Sequence, residues 1–124
     1  MTLTEIKRAV VLFAHGSRDP LWHKPMEAVA ERIALAEPEL AVRCAYLEIS
    51  QPDLDTACLE LANSGIRHIK VIPMFLGVGR HAREDLPVLV KELREKLPSV
   101  NFDLKPAVGE DPRLIQLLAG IAAE

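Results

Sequence analysis

Hydrophobic positions along the chain form two kinds of segment that alternate four times. The first kind is a short, continuous apolar run, which is typical of a strand buried on both faces of a parallel sheet. Glycine, proline or aspartate residues stand near the ends of these runs, where turns are expected. The pattern predicts four strands, over Ala9–Ala14, Ala41–Leu47, His68–Pro73 and Val100–Leu104.

Each apolar run is followed by a longer stretch in which apolar residues recur at helical spacing. Asp53 and Asp111 stand where helix caps are expected, and Gly65 stands where a helix would end. Pro87 is expected only in the first turn of a helix. The predicted helices are Trp22–Glu37, the segment from Leu54 to Gly65, Asp85–Leu97 and Arg113–Ala123, with a long loop over Met74–Arg83.

Strand and helix alternating in this way predict an α/β fold, with a single four-stranded parallel sheet and helices on both faces. The apolar run Leu114–Ala123 in the last helix is assigned to the core, with its end as a candidate subunit contact. In open parallel sheets, ligands bind beyond the carboxyl ends of the strands. Residues that directly follow the predicted strands are therefore the candidates for chemistry.

Composition narrows the class of protein without indicating its chemistry. The chain has 124 residues, of which 49% are hydrophobic and 27% charged, so residues 1–124 are predicted to form a single domain with its own core. This average composition excludes disordered, collagen-like and disulfide-scaffold proteins. The net charge of −3 and the scattered basic residues argue against a nucleic-acid partner.

The two cysteines and the N-terminal sequence predict where the protein works. Cys44 and Cys58 stand among apolar residues and do not form a CxxC pair, so both are predicted to be buried free thiols in a reducing compartment. The sequence shows neither a signal-peptide pattern nor an apolar run of membrane-spanning length. We therefore predict a cytoplasmic protein with no membrane partner.

Three side chains that can bind a metal or accept a proton follow three successive predicted strands. His15 comes directly after the first strand, Glu48 after the second, and His81 in the loop after the third. Parallel strands end at one edge of a sheet, so these loops are expected to be neighbours. Imidazole and carboxylate suit zinc, cobalt, nickel and iron(II), and two or three ligands leave positions open for water or substrate.

The same three side chains also fit roles that involve no chemistry. A histidine directly after a strand also serves as an ordinary exposed loop residue, and only its position in a strand-end loop favours chemistry. His23 and His68 are predicted to be surface or packing residues. Ser17 beside His15 raises a hydrolase as a further alternative, but the chain lacks the GxSxG turn that would expose such a nucleophile.

Three sequence blocks resemble the CbiX-type sirohydrochlorin chelatases, which are class II chelatases related to the ferrochelatases. The blocks are VLFAHGSRDP at Val11–Pro20, YLEISQPDL at Tyr46–Leu54 and IKVIPMFLGVGRHAREDLP at Ile69–Pro87, and they occur in the family's order. The resemblance runs from about Ala9 to Leu97, and the remaining residues fit in length and pattern only. It implies a chelatase-like domain equal to one half of a two-lobed class II chelatase.

The resemblance also implies a reaction, which is insertion of a divalent metal into sirohydrochlorin without ATP, in cobalamin or sirohaem biosynthesis. Co²⁺ is the expected substrate metal. Fe²⁺ and Ni²⁺ stay open as alternatives, because the types of ligand do not separate the three metals. By the same resemblance, His15 and His81 bind the metal and assist deprotonation, and Glu48 is their partner in the metal site. Short family members form homodimers, so a homodimer is expected here.

The family's substrate carries several carboxylates, for which this chain offers partners. Arg18, Arg80, Arg83 and backbone N–H groups near Ser17 are the expected ones. The alternative to an enzyme is a non-catalytic protein that binds and delivers a metal or a tetrapyrrole. Such a carrier would bind its cargo without accelerating metal insertion.

Overall fold

The computed structural model describes residues 7–124, which contain one sheet of four parallel strands. The strands are β1 (Arg8–Ala14), β2 (Ala41–Tyr46), β3 (His68–Pro73) and β4 (Asn101–Leu104). They lie in the order β2-β1-β3-β4, so β1 and β3 are central. The predicted parallel sheet is confirmed, and the loops after β2 and β3 flank the loop after β1.

Four α-helices accompany the strands: α1 (Lys24–Ala36), α2 (Leu54–Asn63), α3 (Arg80–Lys96) and α4 (Pro112–Ala122). Short 3₁₀ turns precede α1, at Pro20–His23, and α4, at Val108–Glu110. Both predicted caps are confirmed. The Asp53 carboxylate accepts the Thr56 N–H at 2.8 Å, and the Asp111 carboxylate accepts the Arg113 N–H at 2.9 Å.

Helices cover both faces of the sheet because alternate residues of β1 point to opposite sides. Val11 and Phe13 belong to the larger core, which includes buried residues of α2 and α3. Val10 and Leu12 belong to a smaller core that includes Met26 of α1. Burial on both faces explains why β1 is a continuous apolar run rather than an alternating one.

The predicted start of the third helix is wrong. That helix, α3, begins at Arg80 rather than Asp85, so the predicted loop over Met74–Arg83 is too long. Ala82 is buried one turn before Leu86 on the same face, and this contact with the core extends the helix toward its N-terminus. As a result, several predicted site residues lie on the first turn of a helix and not in a loop.

The expectation that Pro87 lies in a first turn is also wrong. Pro87 lies in the interior of α3, where its ring nitrogen cannot donate to the carbonyl of Arg83. The helix continues through Pro87 because one face of α3 is buried both before and after that position. The buried residues of that face are Ala82, Leu86, Val90 and Leu93.

Helix α4 does not join the core, contrary to the prediction for Leu114–Ala123. None of its residues is buried, and its main contacts are with the 3₁₀ turn that precedes it. Ile115, Leu117 and Ile121 each expose more than half of their surface. The described residues therefore leave an apolar helix uncovered. No helix within 7–124 has the length and apolar character needed to cross a membrane.

Candidate active site

His15 lies at the carboxyl edge of the sheet, directly after β1, and is exposed. Its ring rests on Phe75, with the two ring centroids 4.4 Å apart and the planes inclined at 44°. Phe75 is itself buried and meets Phe13 edge to face at 6.1 Å. The core thus supports one side of the imidazole while the group stays accessible at the edge.

Glu48 lies on the loop beside His15. The backbone N–H of Glu48 donates to the carbonyl of His15 at 3.0 Å, and the N–H of Leu47 donates to the carbonyl of Ala14 at 2.8 Å. These bonds continue the pairing of β1 with β2 beyond the ends of the two strands. The structure therefore brings together two of the predicted site residues, an exposed imidazole and an exposed carboxylate, on adjacent segments.

Gly16 allows these two segments to approach closely. Its φ of +104° lies in a region that residues with a side chain rarely adopt. A Cβ atom at this position would overlap the carbonyl oxygen of Glu48. The glycine in the HGS sequence is thus required by the contact between the loops after β1 and β2.

Ser50 ties the same two loops together through its hydroxyl group. The hydroxyl donates to the carbonyl of Ser17 at 2.8 Å and accepts the backbone N–H of Ser17 at 2.9 Å. His23 Nε2 lies 2.8 Å from the same oxygen. Because the single hydroxyl proton is already donated to Ser17, we assign the proton of this third bond to His23 Nε2.

His23 is therefore part of the support of the site, a role that the sequence did not indicate. Its ring also packs against the rings of Trp22 and Tyr46, with centroid separations of 5.5 and 5.0 Å. The sequence predicted a surface or packing role for His23, and the structure confirms the packing role. No local signal marks the link to Ser50, since the two residues are 27 positions apart in sequence.

His81 lies on the first turn of α3 and is exposed. Within residues 7–124, no three histidine, cysteine, aspartate or glutamate side chains lie close enough together to hold a metal ion. The structure of one chain thus joins His15 to Glu48 through the backbone, but does not assemble a three-ligand site with His81. The assignment of all three as metal ligands stays a prediction.

The residues predicted to bind substrate carboxylates differ in whether they are already hydrogen-bonded or ion-paired within the chain. The backbone N–H of Ser17 already donates to Ser50, so it is not free for a ligand. Arg80 forms an exposed ion pair with Glu84 at 3.1 Å, which is weak enough to exchange for another carboxylate. Arg18 and Arg83 are exposed, and neither forms an ion pair with another described residue.

The cysteines do not contribute to this site. Both are free thiols, with Cys58 buried and Cys44 half-buried, so the prediction of two free thiols holds while full burial holds only for Cys58. Burial raises the pKa of Cys58 to about 12, and it also raises the pKa of Cys44. Because metals bind the thiolate, neutral thiols of this kind make poor ligands.

Comparison with known proteins adds a family to this geometry. The model of the CbiX family matches residues 9–124. A solved structure described as a cobalamin (vitamin B12) biosynthesis CbiX protein from Marinobacter aquaeolei is similar to this chain, with a TM-score of 0.81 and 30% sequence identity. That similarity covers 94% of each chain.

Two curated relatives carry enzyme names. The sirohydrochlorin cobaltochelatase of Methanosarcina acetivorans is 28% identical over 99 residues, which are 80% of this chain and 76% of that protein. The sirohydrochlorin ferrochelatase of Bacillus subtilis is 24% identical over 111 residues, which are 90% of this chain and 42% of that protein. This chain thus spans less than half the length of the Bacillus protein.

Proposed function

This chain is a member of the CbiX family, and from that membership we propose that it inserts a divalent metal ion into sirohydrochlorin. The observation that carries the proposal is the backbone bond between Glu48 and His15, at the edge where a parallel sheet binds ligands. It places the residues that carry an exposed imidazole and an exposed carboxylate on adjacent, hydrogen-bonded segments. The names of the relatives supply the reaction to which these two groups are suited.

The proposed reaction exchanges one M²⁺ for two protons on the pyrrole nitrogens. The metal must lose water ligands before it enters the ring, and the ring must lose its protons. We assign His15 and His81 to hold the incoming metal with open positions. Glu48 accepts one ring proton, and an imidazole that has released the metal accepts the other. No ATP is needed in this scheme, because the metal–nitrogen bonds replace the metal–water and nitrogen–proton bonds.

The substrate's carboxylates require cations around the site. Arg18 and Arg83 are the simplest candidates, since both are exposed and free of ion pairs in the described structure. Arg80 would exchange its pairing with Glu84 for a substrate carboxylate. Ser17 is a weaker donor in this scheme, because its backbone N–H is already bonded to Ser50.

Co²⁺ remains the proposed metal, with Fe²⁺ and Ni²⁺ as alternatives. The curated relatives include both a cobaltochelatase and a ferrochelatase, and the identities of 28% and 24% do not favour one metal. The affinity of a site with nitrogen and oxygen ligands follows the same general order of divalent metals, whichever metal the site serves. The pathway, cobalamin or sirohaem, follows from the metal. The two free thiols support the proposed cytoplasmic location.

We expect the protein to accelerate metal insertion at least about tenfold over a metal-only control, as a modest lower bound for an enzyme. Sirohydrochlorin is incubated separately with Co²⁺, Fe²⁺ and Ni²⁺, and the change in tetrapyrrole absorption is recorded with and without protein. Faster insertion with one metal identifies the substrate metal. Binding of metal or tetrapyrrole with no acceleration for any metal would instead indicate a carrier.

We further propose that residues 1–124 form a single domain that works as a homodimer. The chain matches 42% of the length of the Bacillus protein, as one half of a two-lobed enzyme would. The exposed apolar side chains of α4 also support association, because a short apolar helix is unstable in water unless something packs on it. A second copy would bring another His15 and His81 to the shared cleft.

The double substitution Leu117→Asp and Ile121→Asp is expected to convert a dimer into a monomer. Both side chains are exposed on adjacent turns of α4, at 60% and 56%, so charges there cost little in the isolated chain. Light scattering on a sizing column should give twice the chain mass of 13.7 kDa for the wild type and that mass for the variant. Leu35→Asp, at an exposed position of α1, is the control and should stay dimeric.

Two results would contradict this assignment of α4. One is a wild-type protein that is monomeric at assay concentration, which would remove the homodimer. The other is a double variant that remains dimeric, which would place the interface elsewhere on the surface. Circular dichroism of the variant shows whether α4 itself is still helical.

A further inference from the structure

Ile49 occupies a backbone conformation that is unusual for its residue type. Its φ is +70°, and it is the only non-glycine residue with a positive φ among residues 7–124. The N–H of Ser50 donates to the carbonyl of Glu48 at 2.7 Å, which makes Ile49 the centre of a tight three-residue turn. A β-branched side chain is poorly tolerated in the left-handed region, so the sequence has placed a strained residue here.

The surrounding contacts hold this turn in place from both sides. The N–H of Glu48 is bonded to the carbonyl of His15, and the hydroxyl of Ser50 bridges the N–H and carbonyl of Ser17. Gly16 packs directly against the Glu48 carbonyl oxygen. Strained residues persist where neighbouring structure over-determines the conformation, and they cluster at functional sites.

The strain does not serve the packing of Ile49 itself. Its side chain is 59% exposed, although isoleucine is among the residues most often buried. A glycine or an asparagine would adopt the same turn with less strain. The arrangement therefore holds an aliphatic side chain exposed on the surface of the described chain.

Leu76 makes a matching arrangement on the other side of His15. It lies in the loop after β3, and its side chain is 69% exposed. Its backbone is in close contact with Gly109, where a Cβ atom would overlap the Leu76 carbonyl oxygen. The N–H of Gly109 also donates to the carbonyl of Phe75 at 2.9 Å. Leu76, like Ile49, thus presents an exposed aliphatic group on a firmly held backbone.

We infer that Ile49 and Leu76 form an apolar seat, one on each side of His15, that binds the flat face of the tetrapyrrole macrocycle. The strand order β2-β1-β3 puts their two loops on either side of the loop that carries His15. The face of such a macrocycle is apolar while its charges lie on the periphery, so aliphatic contacts suit the face and arginines suit the rim. This inference rests on the proposed substrate, although not on catalysis.

The variant Ile49→Asn tests the seat, because asparagine tolerates a positive φ and removes the aliphatic group. We expect its dissociation constant for metal-free sirohydrochlorin, measured by fluorescence titration, to rise about tenfold. The melting temperature should stay equal or rise, since strain is relieved. In turnover, KM should rise by a similar factor and kcat should change little. Leu76→Asn should weaken binding in the same way.

Two matched variants separate the seat from general effects. Ile49→Val keeps a β-branched aliphatic group at this position and should keep most of the wild-type affinity. Leu35→Asn removes an even more exposed aliphatic group on the last turn of α1 and should leave the dissociation constant unchanged. Light scattering on Ile49→Asn should give the same mass as the wild type, since the seat is assigned to substrate and not to the partner copy.

The outcomes distinguish this inference from the proposed function. Wild-type binding that Ile49→Asn does not weaken overturns the seat while the chelatase activity stands. A loss of mass in Ile49→Asn overturns it as well, because the residue would then be an interface residue. If Ile49→Asn weakens binding but the wild-type protein does not insert metal, the seat is supported and the proposed chelatase activity is wrong. A wild-type protein that binds no sirohydrochlorin removes both.

Discussion

Replacing His15 with alanine is expected to lower kcat/KM for metal insertion at least about a hundredfold, as is replacing His81. Removing a general base typically costs that much, and each residue is also assigned as a ligand of the incoming metal. The His15 ring rests on Phe75 without burial, so its removal should leave the core packed. The measurement is the sirohydrochlorin absorption assay with the metal that gives the highest wild-type rate.

A matched histidine variant shows whether the loss is specific to the site. His68 lies at the start of β3, at the opposite edge of the sheet, where its ring is 3.4 Å from the Asn101 amide. His68→Ala should retain activity within a few-fold. Co²⁺ titration by calorimetry should show weaker binding for His15→Ala and His81→Ala only. If either variant keeps full activity, its assignment as a metal ligand is removed.

Replacing Gly16 with alanine is expected to destabilise the fold by about 3 kcal/mol and to abolish most of the activity. The φ of +104° adds backbone strain of roughly 1–3 kcal/mol. Overlap of the new Cβ with the Glu48 carbonyl adds a steric term of about 1–3 kcal/mol. Relieving the overlap separates the two loops, which lengthens the bond between Glu48 and His15 that defines the site.

Thermal and urea unfolding measure this loss, with a second glycine as the control. The Gly77→Ala variant lies in the loop after β3, has no atom within 4 Å of the added Cβ, and has no positive φ. It should change the stability by less than about 0.5 kcal/mol. A Gly16→Ala protein as stable and active as the wild type would show that the two loops do not need their close contact.

The sequence predicted the edge of the sheet at which the site lies, because that prediction depends only on residues close together in the chain. Turn residues and apolar runs are short-range features, so they placed β3 at His68–Pro73 and His15 directly after β1. The caps at Asp53 and Asp111 were predicted equally well, because a cap bonds to a residue only two or three positions away. The family followed from the three sequence blocks and is confirmed over residues 9–124.

The same reasoning failed where a distant contact outweighs the local preference. The expectation that Pro87 lies in a first turn favoured a late start for α3, but burial of Ala82 and Leu86 begins the helix at Arg80. The apolar pattern of α4 predicts a helix correctly, but it does not say which surface covers that helix. A periodic stripe indicates that burial is needed and leaves the partner unspecified.

What the sequence determined by itself is the order of strands and helices, the family and the identity of the groups at the strand ends. These depend on residues within a few positions of one another, or on the blocks as written. Only the tertiary structure showed that Ser50 bonds to Ser17 across 33 positions, that Gly16 packs on Glu48, and that Ile49 is held exposed at a positive φ. Such contacts depend on how parallel strands bring remote loops together, and no local spacing encodes them.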